Sequence, residues 1–542
     1  MQNTNKLTIF AFVKILTMNT IRKLPIGIQD FEKLRKDNCL YVDKTQYVYL
    51  LAQTSSPYFL GRPRRFGKSL FLSTLKAYFE GKKELFEGLK ITELEKDWTE
   101  YPVIYLDFNR ESYSDISSLE IVIDDILQKY EQQYGVSSIS KSLSVRFGNV
   151  IAEAHKKTGT RVVVLIDEYD KPLISSIDNP DLNKDMRTML KGFYGVLKAE
   201  DAHLRFVFLT GVTKFSKVSV FSDLNQLVDI SLNENFAEIC GISETELLQN
   251  FQPEIQALAE RRKMTYEQTF SELKKLYDGY HFAKVSADIY NPFSVLNTFG
   301  NLDFAYYWFA TGTPTFLVKH LANTGFDIPI LENNVTIAAN SLMDYRVEND
   351  DYVPLLYQSG YLTIKEYDRE LNAYTLGFPN EEVKYGFLNE LLPQFTPSFG
   401  VSSSKFSAIG FIKLLRVGDI ENTMKMLQAY FATIEYDKIP KVLHREKFYQ
   451  FVFWQLLTLM GEFVQTEIKN NKGRADAVVK TADTIYVFEF KMDDNATAEE
   501  ALKQINSKDY AIPYSADHRK VVKIGVEFSL TEKGIKRWLI EK

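Results

Sequence analysis

The stretch YFLGRPRRFGKSLFLSTLKAYF, residues 58–79, decides how the N-terminal half of the chain is read. An apolar run of strand length enters a basic turn ending Gly67-Lys68-Ser69, and KSLFLSTLKAYF then spaces its apolar residues as a helix does. That order suits phosphate binding. Amides at the helix start point at the anion, Gly67 lets the backbone approach, Lys68 reaches the outer phosphates and the Ser69 hydroxyl reaches Mg²⁺. The spelling departs from G-x-x-x-x-G-K-[ST], since position 62 is Arg and Gly61 stands one residue early. Arg62, Arg64 and Arg65 set three guanidinium groups beside Lys68, as phosphate clamps or as partners of surface carboxylates. Taken alone, the loop reads equally as a basic turn capping a helix.

Working outward, RVVVLIDEYD (161–170) is an apolar strand ending in Asp167-Glu168. Two carboxylates there are costly unless a cation or a donor meets them. Beside a phosphate loop, Asp167 would hold Mg²⁺ and Glu168 would orient or deprotonate the attacking water. LRFVFLTG (204–211) ends in Thr210, placed to sense the γ-phosphate or position that water. These runs, with SPYFLG and YPVIYLDF, are nearly continuous apolar strands separated by helical stretches, the texture of a parallel sheet covered on both faces. The spacing predicts an α/β domain over 21–240, after an extension at 1–20 whose IFAFVKILTM is too short to span a bilayer, with Met1 or Met18 as the natural start.

From 241 to 345 the pattern is mostly helical. Over 346–440 it turns α+β: VPLLYQSG reads as a helix ended by Gly360, and YLTIKEY and AYTLGF as two strands around DRELN, a winged-helix-like unit or a plainer connector. Residues 441–535 run helix (REKFYQFVFWQLLTLMG), three strands, helix (TAEEALKQINSKDYA) and strand (KVVKIGVEF).

This last region holds a second constellation, GRADAVVKTADTIYVFEFK (473–491). Glu489 and Lys491 lie two apart on one strand and share a face, and Asp476 sits 13 residues before Glu489 on the expected hairpin partner. Two carboxylates can hold one divalent cation, Mg²⁺ or Mn²⁺, with the Lys491 ammonium orienting or activating a bound water against a phosphodiester. Glu446 is a further candidate carboxylate, and Gln504 could hydrogen-bond near the scissile phosphate. An exposed ion pair on an edge strand is the bland alternative.

The composition is that of a folded protein of several domains: 542 residues, 45% apolar, 25% charged. Two distant cysteines, Cys39 and Cys240, exclude a disulfide framework, and no stretch could span a membrane, so a cytoplasmic protein is expected. The formal charge of −6 gives no nucleic-acid signature, but it is uneven. Residues 401–542 hold 22 Lys and Arg against 19 Asp and Glu, whereas the first 400 hold 43 against 52.

LPIGIQDFEKLRKDNCLYVDKT, FLGRPRRFGKSLFLSTL, VVVLIDEYDKPL and FLTGVTKFSKVSVFSDLNQLVDIS resemble the bacterial AAA-ATPase-like family. GRADAVV, YVFEFK, ALKQI and Tyr510 resemble the PD-(D/E)XK nuclease domain commonly fused to it, and YDGYHF, NPFSVL and QSGYLTI are similar to its connecting region. The resemblance implies a P-loop NTPase joined through a helical and α+β middle to a restriction-endonuclease-like domain. It implies Lys68 and Ser69 on the ATP phosphates and Mg²⁺, with Asp167 and Glu168 as the acidic pair and Glu168 catalytic; Arg64, Arg65, Gly67 and Thr210 join them as expected nucleotide-binding residues from the reading of the loop and strand ends. It further implies Asp476, Glu489 and Lys491, with Glu446, as a nuclease core acting on nucleic acid, DNA before RNA. The expected function is ATP-dependent DNA processing, with defence against foreign DNA a weaker implication. The rivals are a regulatory NTPase whose nuclease-like domain binds without cleaving, and a non-enzymatic assembly factor. No arginine finger can be singled out, so a homo-oligomer stays open beside a monomer.

Overall fold

The computed structural model describes residues 22–137, 140–214, 226–309, 335–342, 352–395, 408–432, 452–453, 463–470, 473–494, 496–515, 517–529, 531 and 534–541. The N-terminal extension therefore lies outside the described residues. The described chain forms two compact units that part between Glu382 and Val383, within the stretch read as a connector.

The apolar runs of the first unit become strands because both of their faces are covered. These are β1 (Pro57–Gly61), β2 (Val103–Asp107), β3 (Val162–Asp167), β4 (Leu204–Gly211) and β5 (Val228–Asp229), in the order β2-β3-β4-β1-β5 and parallel throughout. Every residue of β3 is buried. Helices α1 (Lys68–Phe79), α2 (Ile116–Tyr134), α3 (Leu143–Thr158) and α4 (Pro180–Ala199) flank the sheet. On α1, Phe71, Leu72, Leu75 and Phe79 are buried at helical spacing, and the helix lies over β2, β3 and β4. Asp115 and Asn179 cap α2 and α4 by accepting from the amides of Ser118 and Leu182. This is the parallel sheet with flanking helices that the apolar runs predict.

The helical middle is α5 (Glu244–Asn250), α6 (Gln252–Arg262), α7 (Tyr266–Tyr277) and α8 (Pro292–Asn301), packed on a core that includes Leu247, Ile255, Leu273 and Phe299. A small ribbon of β6 (Ile242–Ser243) and β7 (Ile289–Tyr290) closes it. Next, β8 (Val335–Ala338) precedes α9 (Val353–Ser359), which ends at left-handed Gly360 as expected. The expected hairpin is β9 (Thr363–Asp368) with β10 (Ala373–Gly377), but β8 adds a third antiparallel strand beside β10. Four residues are too few for β8 to show a period.

The chain leaves this unit along α10 (Glu381–Phe395), and α11 (Ala408–Arg416) and α12 (Ile420–Phe431) follow. The second unit is built on β11 (Phe463–Asn470), β12 (Gly473–Lys480), β13 (Thr484–Met492), β14 (Lys520–Ser529) and β15 (Gly534–Glu541), adjacent in chain order. Only β13 and β14 run parallel, so a crossover is needed between them, and α13 (Ala498–Ser507) supplies it. Strand β15 was not expected; GIKRWLIE has no clean alternation. Of the helix expected at 445–461 only 452–453 are described, with the Phe453 ring 4.8 Å from that of Phe488.

Candidate functional site

Parallel register carries the ends of β1, β3 and β4 to one edge of the sheet, the place where such sheets bind ligands. Strand β4 runs between β1 and β3, with Thr210 opposite Leu60 and Leu209 opposite Ile166. The Thr210 hydroxyl, buried, therefore reaches Asp167 and donates to its Oδ1 at 2.5 Å. The Glu168 amide donates to the same oxygen at 3.1 Å, and the Tyr105 hydroxyl to Oδ2 at 3.4 Å. Glu168 is half-buried with φ 49°, a left-handed conformation unusual for a non-glycine residue and typical of a constrained site.

The loop from β1 to α1 turns on Gly67, the N-cap, at φ 94° with open space where a Cβ would stand. A substitution there would be strained, and the vacancy leaves the amides at the helix start accessible. Lys68 is buried, its Nζ donating to the carbonyls of Arg62 at 3.0 Å and Pro63 at 3.1 Å. Ser69 is half-buried in the first turn, Arg64 is half-buried, and Arg65 is exposed with its guanidinium 5.0 Å from the Phe293 ring centroid. The structure thus brings Gly67, Lys68, Ser69, Asp167, Glu168 and Thr210 to one edge of the sheet.

Arg62 is not a phosphate clamp. It is 1% exposed and donates to the carbonyls of Gly61 at 2.9 Å, Ser231 at 2.8 Å and Phe236 at 2.9 Å, and lies 4.3 Å from the Phe282 ring centroid. Where the usual loop has a glycine, this chain has an arginine whose guanidinium is taken up by main-chain carbonyls.

Sequence reasoning missed three features. Asp170 is buried, accepts from the amides of Val212 at 3.0 Å and Thr213 at 2.6 Å, and so fastens the exit of β4 to the exit of β3. Burial pushes its carboxyl up to about 6. Asp107 lies in register with Asp167, and burial together with that neighbouring carboxylate raises it above the usual range. An apolar cavity of about 90 Å³, lined by Tyr41, Val42, Phe66, Gly67, Ile242 and Pro292 among others, adjoins the loop. Its walls come from four distant segments, so no local pattern announces it.

In the second unit, β12 and β13 pair with Ala477 opposite Phe488. This brings Asp476 beside Phe490, whose amide donates to Asp476 Oδ2 at 2.7 Å. Glu489 is 1% exposed, and its Oε1 accepts from Lys491 Nζ at 2.9 Å and from the Gln504 amide, which also reaches the Tyr510 hydroxyl at 3.2 Å. Asp476, Glu489 and Lys491 thus come from two neighbouring strands, with α13 supplying Gln504. Gln504 contacts Glu489 itself, a closer role than the expected one near a phosphate. Glu446 lies outside the described residues. Among the described residues no three His, Cys, Asp or Glu side chains gather closely enough to hold a metal ion. Two carboxylates with water ligands suit a hard divalent cation.

Comparison with known proteins gives a family for each end of the chain. The predicted AAA-ATPase family model matches residues 25–221, and the PD-(D/E)XK nuclease superfamily model matches residues 444–538. The uncharacterized protein in the vnfD 5′ region of Azotobacter chroococcum mcd 1 is 37% identical over 528 residues, covering 96% of this chain and 99% of that protein. The Aeropyrum pernix ORC2 protein, solved as ADPNP–ADP complexes, is 12% identical and covers 69% of this chain and 96% of its own, but its TM-score of 0.17 carries no argument. No helix among the described residues is long and apolar enough to cross a membrane. The chain belongs to the family of predicted AAA-ATPase-like proteins with a C-terminal domain of the PD-(D/E)XK nuclease superfamily.

Proposed function

We propose that the chain binds and hydrolyses Mg·ATP in its first unit and cleaves DNA phosphodiesters with a divalent metal in its second. The observation that carries the reading is the Thr210–Asp167 hydrogen bond at the C-terminal ends of β4 and β3, with Glu168 next in the chain and Lys68 opening the helix that follows β1. In this reading the Lys68 ammonium exchanges the carbonyls of Arg62 and Pro63 for phosphate oxygens, and Ser69 and Asp167 hold Mg²⁺. Thr210 keeps Asp167 oriented, and Glu168 positions or deprotonates water. Arg64 and Arg65 add positive charge at the loop, and the apolar cavity beside Phe66 takes the base.

In the second unit, Asp476 and Glu489 would hold Mg²⁺ or Mn²⁺, and the metal would supply a bound water of lowered pKa. Lys491 orients that water, and Gln504 fixes the Glu489 rotamer. The reading carries a cytoplasmic setting, where ATP and DNA meet.

The test pairs two assays on the full chain. Nucleotide binding should be lost in Lys68→Ala, and Glu168→Gln should bind ATP without turning it over. Cleavage with Mg²⁺ or Mn²⁺ should vanish in Asp476→Ala and in Lys491→Ala; cleavage that survives both removes the nuclease assignment. DNA binding without cleavage by the wild type would instead identify a regulatory NTPase.

A further inference from the structure

Glu382 is a carboxylate the chemistry above does not use, and it is completely buried in the first turn of α10. Its Oε1 accepts from the main-chain amide of Trp308 at 2.8 Å, and its Oε2 from the Ser294 hydroxyl at 2.7 Å. The Tyr307 amide also bonds it, but these donors are all neutral and no described cation pairs with it. That is a thin compensation for burying a carboxylate, so an apolar residue would hold this position more cheaply.

Trp308 and Ser294 sit next to the phosphate loop. The Trp308 indole N–H donates to the Arg64 carbonyl at 3.1 Å, and the Trp308 ring packs edge-on against Tyr361 at 5.5 Å. Phe293, the neighbour of Ser294, lies 5.0 Å from the Arg65 guanidinium. Trp308 therefore holds the loop with its side chain and Glu382 with its backbone, and α8 holds both from the other side. The loop also has a reason to move. Lys68 is fastened to the carbonyls of Arg62 and Pro63, and a phosphate that attracts its ammonium must release them.

We propose that Glu382 is a latch through which nucleotide occupancy of the phosphate loop is passed, by way of Trp308, to α10, the helix along which the chain leaves its N-terminal unit. The proposal rests on the reading that the loop binds nucleotide. Thermodynamic coupling is reciprocal, so a loop that shifts the latch is itself held by it. Glu382 and Trp308 act as positioning residues and touch no phosphate.

Hydrogen exchange of the full chain, with and without saturating Mg²⁺ and a non-hydrolysable ATP analogue, tests the latch. Binding is measured separately by equilibrium titration. In the wild type, exchange of the 381–395 amides should change by about fivefold or more on nucleotide binding. Trp308→Phe keeps an aromatic ring and the main-chain donor to Glu382 but loses the indole N–H. It should still saturate with nucleotide, yet change 381–395 by less than about twofold. Glu382→Gln keeps an acceptor for the Trp308 amide and should preserve the response.

A purely structural Glu382 predicts a full response in Trp308→Phe, and that result overturns the latch. So does a wild type that binds nucleotide with no change over 381–395, a measurement that stands whether or not the variants fold. A wild type that fails to bind nucleotide overturns the phosphate-loop reading and the latch together, so the titration tells the two failures apart.

Discussion

Arg62 occupies the place of a glycine that the usual phosphate loop requires, and its burial shows what was gained. Its fork ties the end of β1 to the carbonyls of Ser231 and Phe236, segments about 170 residues away in sequence. Lysine has a charge but no planar fork, so it cannot make these bonds together. Arg62→Lys should lower stability by about 2–4 kcal/mol, while exposed Arg65→Ala should cost about 0.5 kcal/mol or less, both read by urea unfolding. A clamp role for Arg62 predicts the reverse, with stability kept and nucleotide affinity lost. Glu382 gives a second prediction at this scale. Burial raises its carboxyl from an ordinary 4.5 to about 7, so the folded chain holds an extra proton between those values. Its contribution to stability is greatest below pH 4.5, falls as pH rises to about 7, and is level above that. Glu382→Gln removes this slope. Relative to the wild type, the variant should gain on the order of 2 kcal/mol between pH 5 and pH 7.5 in paired denaturation curves.

Elements differ in how much of themselves the sequence displays. Strands β1 to β4 are legible because burial on both faces demands unbroken apolar runs, and α1 because Leu72, Leu75 and Phe79 repeat at helical spacing. Their order in the sheet is not legible, since which strand pairs with which is a long-range choice that periodicity does not record. Residues that touch a local motif, such as Lys68, Asp167 and Glu489, could be named in advance. Asp170 and Glu382 could not, and Arg62 was named without its role, because their partners lie far along the chain and their types read as surface charge. The seat of α13 shows the same limit. Strand β14 carries Gly525 opposite Glu489, and a Cβ there would stand 2.4 Å from the Ala498 carbonyl oxygen and 2.8 Å from the Leu502 nitrogen. The obstructing atoms are helix backbone, which cannot rotate aside. Gly525→Ala should push α13 off the sheet, costing about 1–3 kcal/mol, and should pull Gln504 away from Glu489. If Gln504 matters to cleavage, metal-dependent turnover should fall more steeply than thermal stability; unchanged turnover would separate the helix seat from the site.

At the scale of the whole molecule, net charge and proposed substrate pull in opposite directions. A chain of charge −6 whose last 142 residues exceed neutrality by only three cannot hold DNA by bulk attraction. Five described cations of the second unit are also paired with carboxylates. Lys523 pairs with Glu541 at 2.6 Å, Arg519 with Asp517 at 2.6 Å, Lys536 with Glu527 at 2.7 Å, Lys491 with Glu489 at 2.9 Å, and Arg537 with Glu499. Each must give up a carboxylate before it neutralises a phosphate, so few counterions are released per bound duplex. Binding that displaces about three of them loses roughly 10- to 100-fold in affinity between 50 and 200 mM salt, against 10³–10⁵ for a protein making 6–10 phosphate contacts. We expect the shallow dependence from full-length Asp476→Ala, which on the proposed function should bind without cutting, titrated onto duplex DNA without divalent metal. A steep slope would place the duplex on a basic surface beyond these ion pairs and move the grip on DNA away from the strand face that carries Glu489 and Lys491.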